Sequence, residues 1–85
     1  MLHIISNPNA ISDCTVHLVD NDAVVLIGDG VYAVTGNNLK VSVPVYALES
    51  DLVARGILAT SNVTTTKMSK FVALVVEHTS SVTWT

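Results

Sequence analysis

The strongest constraint on the fold is the run Ala23-Val24-Val25-Leu26-Ile27, five apolar residues in a row that end at Gly28-Asp29-Gly30. A strand with one wet face alternates apolar and polar side chains, because successive residues point to opposite sides of a sheet. This run does not alternate, and it is rich in β-branched residues, so it reads as a strand buried on both faces. Such strands belong to parallel sheets covered by helices. A chain of 85 residues holds one such core at most, because folded surface grows more slowly than chain mass. One domain, 1–85, is therefore expected.

The flanking segments fit that frame. Leu2 to Ile5 reads as a first strand, stopped by Ser6-Asn7-Pro8-Asn9, where Pro8 cannot donate to a ladder and starts a turn. From Ala10 to Val19, the residues Ile11, Cys14 and Leu18 share one helical face, which predicts a short amphipathic helix capped by Asn9 or Ser12. Val31 to Val34 reads as a helical turn or two, ended by Gly36-Asn37-Asn38. Val43 to Leu48 is a third apolar run, with Pro44 tolerable only at its beginning. In the segment Glu49 to Gly56, Ser50 is placed as a helix cap, with an acid in the first turn, Arg55 in the last and Gly56 just beyond. Val63 to Thr66 reads as a fourth strand. Ser69 to Glu77 reads as a last helix, with Met68, Phe71, Val72, Val75 and Val76 on its apolar side. Ser81 to Thr85 is either a short terminal strand or a segment docked over a neighbour. Strand and helix alternate throughout, which predicts an α/β fold: a mainly parallel sheet of four to five strands, right-handed crossovers and helices on both faces.

Composition narrows the function classes. Hydrophobic residues make up 49% of the chain, charged residues 13%, and mean hydropathy is +0.53. Size scaling predicts a folded surface of about 4,900 Å², and so apolar a chain is expected to leave some of its hydrophobic surface outside a lone monomer, for partner subunits to cover. Disorder is excluded by the same numbers, and a disulfide-stapled miniprotein by the single cysteine. The net charge is −3, and Lys40, Arg55, Lys67 and Lys70 are the whole cationic stock, too few for direct nucleic-acid binding. The longest apolar runs fall far below the ~20 residues that span a bilayer. The start, Met1-Leu2-His3, lacks the pattern of a secretory signal, so no membrane association and a cytoplasmic location are expected.

In an open parallel sheet, chemistry gathers beyond the C-terminal ends of the strands, here around Ser6 to Asn9, Gly28 to Gly30, Glu49 to Asp51 and Thr66 to Ser69. These loops hold neither GxGxxG nor GxxxxGK[ST], so no phosphate cradle and no nucleotide cofactor is expected. Gly28 and Gly30 read as a turn that needs permissive backbone angles. Asp29 and Asp51 share the rim and could bind a cation or act as an acid and base pair, although acids there also complement a helix dipole. His3, His17 and His78 are scattered without ligand spacing, so no metal is expected, and a lone His3 in an apolar strand reads as a hydrogen-bonded core or interface residue. Cys14 is the one strong nucleophile. Its position beside Ile11 and Leu18 favours a small buried hydrophobe with a raised pKa over a thiolate that carries sulfur as a persulfide.

Several pieces, in order, cover nearly the whole chain: Met1-Leu2-His3, Leu26-Ile27-Gly28-Asp29-Gly30-Val31, Val45-Tyr46-Ala47-Leu48 with Asp51-Leu52-Val53-Ala54-Arg55-Gly56, and Phe71-Val72-Ala73-Leu74 with Trp84. Together they resemble the DsrH/TusB family. The resemblance implies a small three-layer DsrE-like fold and a subunit that joins TusC/DsrF-like and TusD/DsrE-like chains in a heterohexamer. It further implies that such a complex takes sulfur from a TusA-like carrier and passes it, through a TusE-like one, toward 2-thiolation of the wobble uridine of transfer RNA. Within that picture this chain is a non-catalytic subunit of a sulfurtransferase complex, with Asp29, Gly30, Asp51, Arg55, Gly56 and Trp84 shaping the rim or subunit contacts. Two other readings stand beside it: a DsrH-type persulfide carrier using Cys14 in sulfur oxidation, and a freestanding homo-oligomeric ligand-binding module.

Overall fold

A computed structural model describes residues 1–35, 41–59, 62–78 and 80–85. The central apolar run forms β2 (Ala23–Leu26), and the other strands are β1 (Leu2–Ile5), β3 (Val45–Leu48), β4 (Thr64–Thr66) and β5 (Ser81–Trp84). They make one five-stranded sheet in the order β4-β3-β2-β1-β5, and every pairing is parallel. β1 and β2 are buried at all four positions each, as continuous apolar strands in the middle of a doubly covered sheet should be.

Topology decides which face each connection covers. From β1 to β4 the chain steps across the sheet in one direction, so right-handed crossovers put the first three connections on the same face. These are a 3₁₀ turn at Pro8–Ala10 running into α1 (Ile11–Thr15), a 3₁₀ segment at Gly28–Thr35, and α2 (Glu49–Ala54). The step from β4 to β5 then crosses back over the whole sheet and places α3 (Met68–Glu77) on the opposite face. The two cores follow this division. The larger packs Ile5, Val24, Leu26, Val45 and Ala47 against Ile11, Cys14, Val31, Val34 and Leu52. The smaller packs Leu2, Ile4, Ala23 and Val25 against Leu74, with Phe71 and Tyr46 half-buried at its border. The accessible surface is 4901 Å², the value the chain's mass leads one to expect.

Several local expectations need correction. The helix expected over Ala10 to Val19 stops at Thr15, because the next backbone bonds tighten to His17 N–H on the Cys14 carbonyl and Leu18 N–H on the Thr15 carbonyl. The cap at that end of the chain is neither Asn9 nor Ser12. Asn7 fills the role, its Oδ1 accepting the Asn9 amide at 2.9 Å. Ser50 is likewise no cap: α2 leaves β3 directly, with Leu48 in extended geometry at the cap position and Ser50 inside the first turn. Gly56 does follow the helix with φ +64, as a helix-ending glycine should. The greatest difference is α3, where Met68, Val72, Val75 and Val76 point to solvent and Leu74 is the buried residue. The predicted end of the preceding turn at Gly36-Asn37-Asn38 lies outside the described residues.

Candidate functional site

The strand ends form a rim whose centre is tied together by one arginine. Arg55, just past α2, donates from Nη2 and Nε to Asp29 Oδ1 at 3.0 and 3.2 Å. Its Nη1 reaches the Asp51 carbonyl at 3.4 Å and Asp51 Oδ1 at 3.5 Å, while the guanidinium lies over the Tyr32 ring, 5.9 Å from its centre. Asp51 Oδ2 accepts the Gly28 amide at 2.8 Å, and Gly28 itself has a positive φ of +51. The loop after β2 and the start of α2 are therefore fastened by charge-assisted bonds. This geometry answers the cation reading of the two carboxylates. The space between Asp29 and Asp51 is occupied by the chain's own guanidinium, and among the described residues no group of three potential metal ligands converges anywhere.

Gly30 is constrained differently. Its φ is not positive; what it needs is space, since a Cβ there would lie 2.0 Å from the Ile5 carbonyl oxygen. That close approach seats the 3₁₀ segment against the end of β1. Beside it, Ser6, Asn7, Pro8, Asp29, Tyr32 and Thr85 line an open recess of about 430 Å³. It lies beyond the carboxyl ends of β1 and β5, where strand order reverses and where open α/β sheets take ligands. Ser6 closes its floor, donating through N–H and Oγ to the Trp84 carbonyl at 3.1 and 3.3 Å.

Trp84 itself points away from the rim, to the face covered by α1. Its Nε1–H donates to His3 Nδ1 at 3.1 Å, and its ring stacks on His3 and on His17 with centroids 6.2 and 5.7 Å apart. Because Nδ1 accepts, the His3 proton resides on Nε2, which donates to Asp22 Oδ2 at 3.0 Å. Asp22 also accepts from the Met1 ammonium at 2.8 Å and the Val19 amide at 3.1 Å. The ammonium hydrogen bond, aided by those from His3 and Val19 and opposed by burial, holds the Asp22 carboxyl well below the usual range. Sequence reading placed His3 correctly as a hydrogen-bonded core histidine but missed its partner. The signal becomes visible only in the β1–β2 register, where Leu2 faces Ala23 and the residues just before them meet.

Cys14 lies in the same neighbourhood, and the arrangement works against its chemistry. The residue is fully buried, and burial, with the Asp22 charge adding to it, pushes the thiol from 9.0 up to about 11. At neutral pH only about one thiol in ten thousand is then ionised. A histidine oriented by a carboxylate could activate such a thiol, but the His3 lone pair that would take the proton is already bonded to Trp84. Among the described residues, every buried side-chain polar atom has a hydrogen-bond partner.

The architecture defines a small, doubly covered parallel α/β protein whose strand-end rim is braced by ion pairs and whose one thiol is buried inert. A family model for DsrH-like proteins matches residues 6–81, and the chain belongs to that family. Membership makes it a sulfur-relay-related subunit. No curated protein matches the chain. No helix among the described residues is long and apolar enough to cross a membrane.

Proposed function

We propose that the chain is a structural subunit of a TusBCD-like complex, holding TusC/DsrF-like and TusD/DsrE-like subunits in a heterohexamer while sulfur moves on its partners. The observation that carries this reading is the state of Cys14, the only thiol of a sulfur-relay family member: fully buried, with its pKa raised to about 11 by that burial. A subunit of such a relay without a usable thiol contributes by assembly. The Arg55 clamp and the recess beside it give the rim a fixed shape for a neighbouring subunit, and a partly apolar exterior suits permanent contacts. The sulfur arrives from a TusA-like carrier, leaves through a TusE-like one and ends in the 2-thiolation of wobble uridine in transfer RNA. The complex works in the cytoplasm, and the RNA is touched by another protein, in keeping with the net charge of −3 here.

The test is intact mass of this chain co-expressed with its host's related subunits and exposed to a persulfide-loaded carrier. The expected result is an unmodified chain that co-purifies with a persulfidated partner, with thiolation unchanged by Cys14→Ser. A sulfur adduct of ~32 Da that disappears in Cys14→Ser would instead make Cys14 a relay station.

A further inference from the structure

β5 is an edge strand, half-buried at Val82 and Trp84 and exposed at Ser81 and Thr83, so burial does little to hold it. Beyond its backbone ladder with β1, the one hydrogen bond that a β5 side chain makes among the described residues is Trp84 Nε1–H to His3 Nδ1, at 3.1 Å. His3 is buried on the α1 side of β1, since Leu2 and Ile4 on either side of it face α3.

An indole N–H can only donate, so it meets His3 only while Nδ1 keeps its lone pair. A second proton on the ring sets two N–H groups against each other, and the Trp84 contact must break. On the other side the same proton is well received: Nε2–H already points at Asp22 Oδ2, 3.0 Å away, and becomes half of a buried ion pair. Asp22 stays ionised throughout, because the bond from the Met1 ammonium, aided by those from His3 and Val19, holds its carboxyl well below the usual range. The other groups around the ring are the Met1 ammonium, the neutral Cys14 thiol, near enough to feel the Asp22 charge, and His17 across the indole. Val24 and Val82, opposite His3 in β2 and β5, are uncharged, and Asp13 and Asp20 are exposed.

We propose that His3 and Trp84 form an acid-operated latch on β5: the neutral ring holds the indole, and uptake of one solvent proton at Nδ1 keeps the strand end released. The proton reaches Nδ1 only after the indole has moved away, so acid traps a state in which Trp84 has already let go. Trp84 also carries the carbonyl that accepts Ser6 N–H and Oγ–H, so its departure frees the end of the strand and opens the edge of β1. The released population rises by up to about tenfold for each unit of pH, within the interval of about pH 5 to 8 in which histidines charge. The latch does not rest on the sulfur-relay reading.

Amide hydrogen exchange of the whole chain, read by NMR between about pH 8 and 5, provides the test. Corrected for intrinsic rates, protection at Val82 and Trp84 is expected to fall at least ~10-fold on acidification, while Val24 and Val25 in β2 hold theirs. Trp84→Phe keeps a ring but has no N–H to oppose the proton, so its β5 protection should be lower at neutral pH and flat across the range. His17→Gln should behave as the wild type. A wild type whose β5 protection is flat, or absent at neutral pH, overturns the inference. So does a fall that Trp84→Phe retains, or one that His17→Gln abolishes. A parallel loss at Val24 and Val25 would mean general acid unfolding and equally overturn the latch.

Discussion

Glycine positions offer a sharp test of how the rim is built. Gly28 and Gly56 have positive φ, and nothing lies within 4 Å of a Cβ added at either. Gly30 has ordinary backbone angles, but an added Cβ would sit 2.0 Å from the Ile5 carbonyl oxygen and 3.3 Å from Ser6 Cα. Backbone cannot rotate away as a side chain can, so the 3₁₀ segment and the end of β1 must separate by about 1 Å or more. The same Ile5 oxygen accepts the Ile27 amide at 3.0 Å, and that bond is lost or stretched by the shift. Overpacking costs about 1–3 kcal/mol and a backbone hydrogen bond about 1, which makes about 2–4 kcal/mol for Gly30→Ala. For a chain of this size that lowers Tm by about 10–25 °C. Gly28→Ala pays only for a left-handed residue in open space, about 1–2 kcal/mol. Chemical and thermal unfolding of the two variants, side by side, measure the difference. If Gly30→Ala unfolds no more easily than Gly28→Ala, the close approach at Ile5 is not what seats the loop.

The remaining predictions concern the buried network. Alkylation of Cys14 by iodoacetamide should be slower in the native protein than in urea by at least about a hundredfold at neutral pH, given a thiol raised from 9.0 to about 11; equal rates would remove the ground for an inert cysteine. The Asp22 carboxyl is depressed in the folded state, so its stabilisation is complete above the unfolded carboxylate pKa of about 4 and is lost as pH falls below it. Asp22→Asn should therefore cost about 1–3 kcal/mol at pH 7 and flatten the fall in stability that denaturant titrations record for the wild type between pH 5 and pH 2, both values being about the limits of that window. Trp84→Phe keeps the stacking but strips His3 Nδ1 of its donor, for a loss of about 1–2 kcal/mol in the same titrations.

What the sequence disclosed, and what it hid, follows from how local each signal is. Ala23 to Leu26 could be read as a doubly buried strand because its lack of alternation is a property of the segment itself. From there the alternation of elements and the handedness of crossovers led to the parallel sheet. Asp29, Asp51 and Arg55 were legible as rim residues because each follows a strand or ends a helix, but that Arg55 would fill the space between the acids needed the side-chain geometry. The orientation of α3 could not be read, since apolar residues surround most of that helix and several faces score alike. The sheet chose Leu74: among the described residues α3 is the one helix on that face, and Leu74 is its buried residue, in one cluster with Leu2, Ile4, Ala23 and Val25. His3 lies 19 residues from Asp22 and 81 from Trp84, spacings that mark no motif.

The strand order also bears on how the protein is made. β1 precedes the other four strands of the sheet in the chain, yet one of its edges is completed only by β5, which pairs Leu2 with Ser81 and Ile5 with Trp84. Until then β1 has an open edge, the Ile5-Ser6 turn lacks its anchor, and His3 holds a lone pair with no donor. The steps from β1 to β4 join sequence neighbours and can form as synthesis proceeds, whereas the last closes nearly the whole chain into a loop. The sheet is thus finished by the last of its five strands, which seals the open edge of the first.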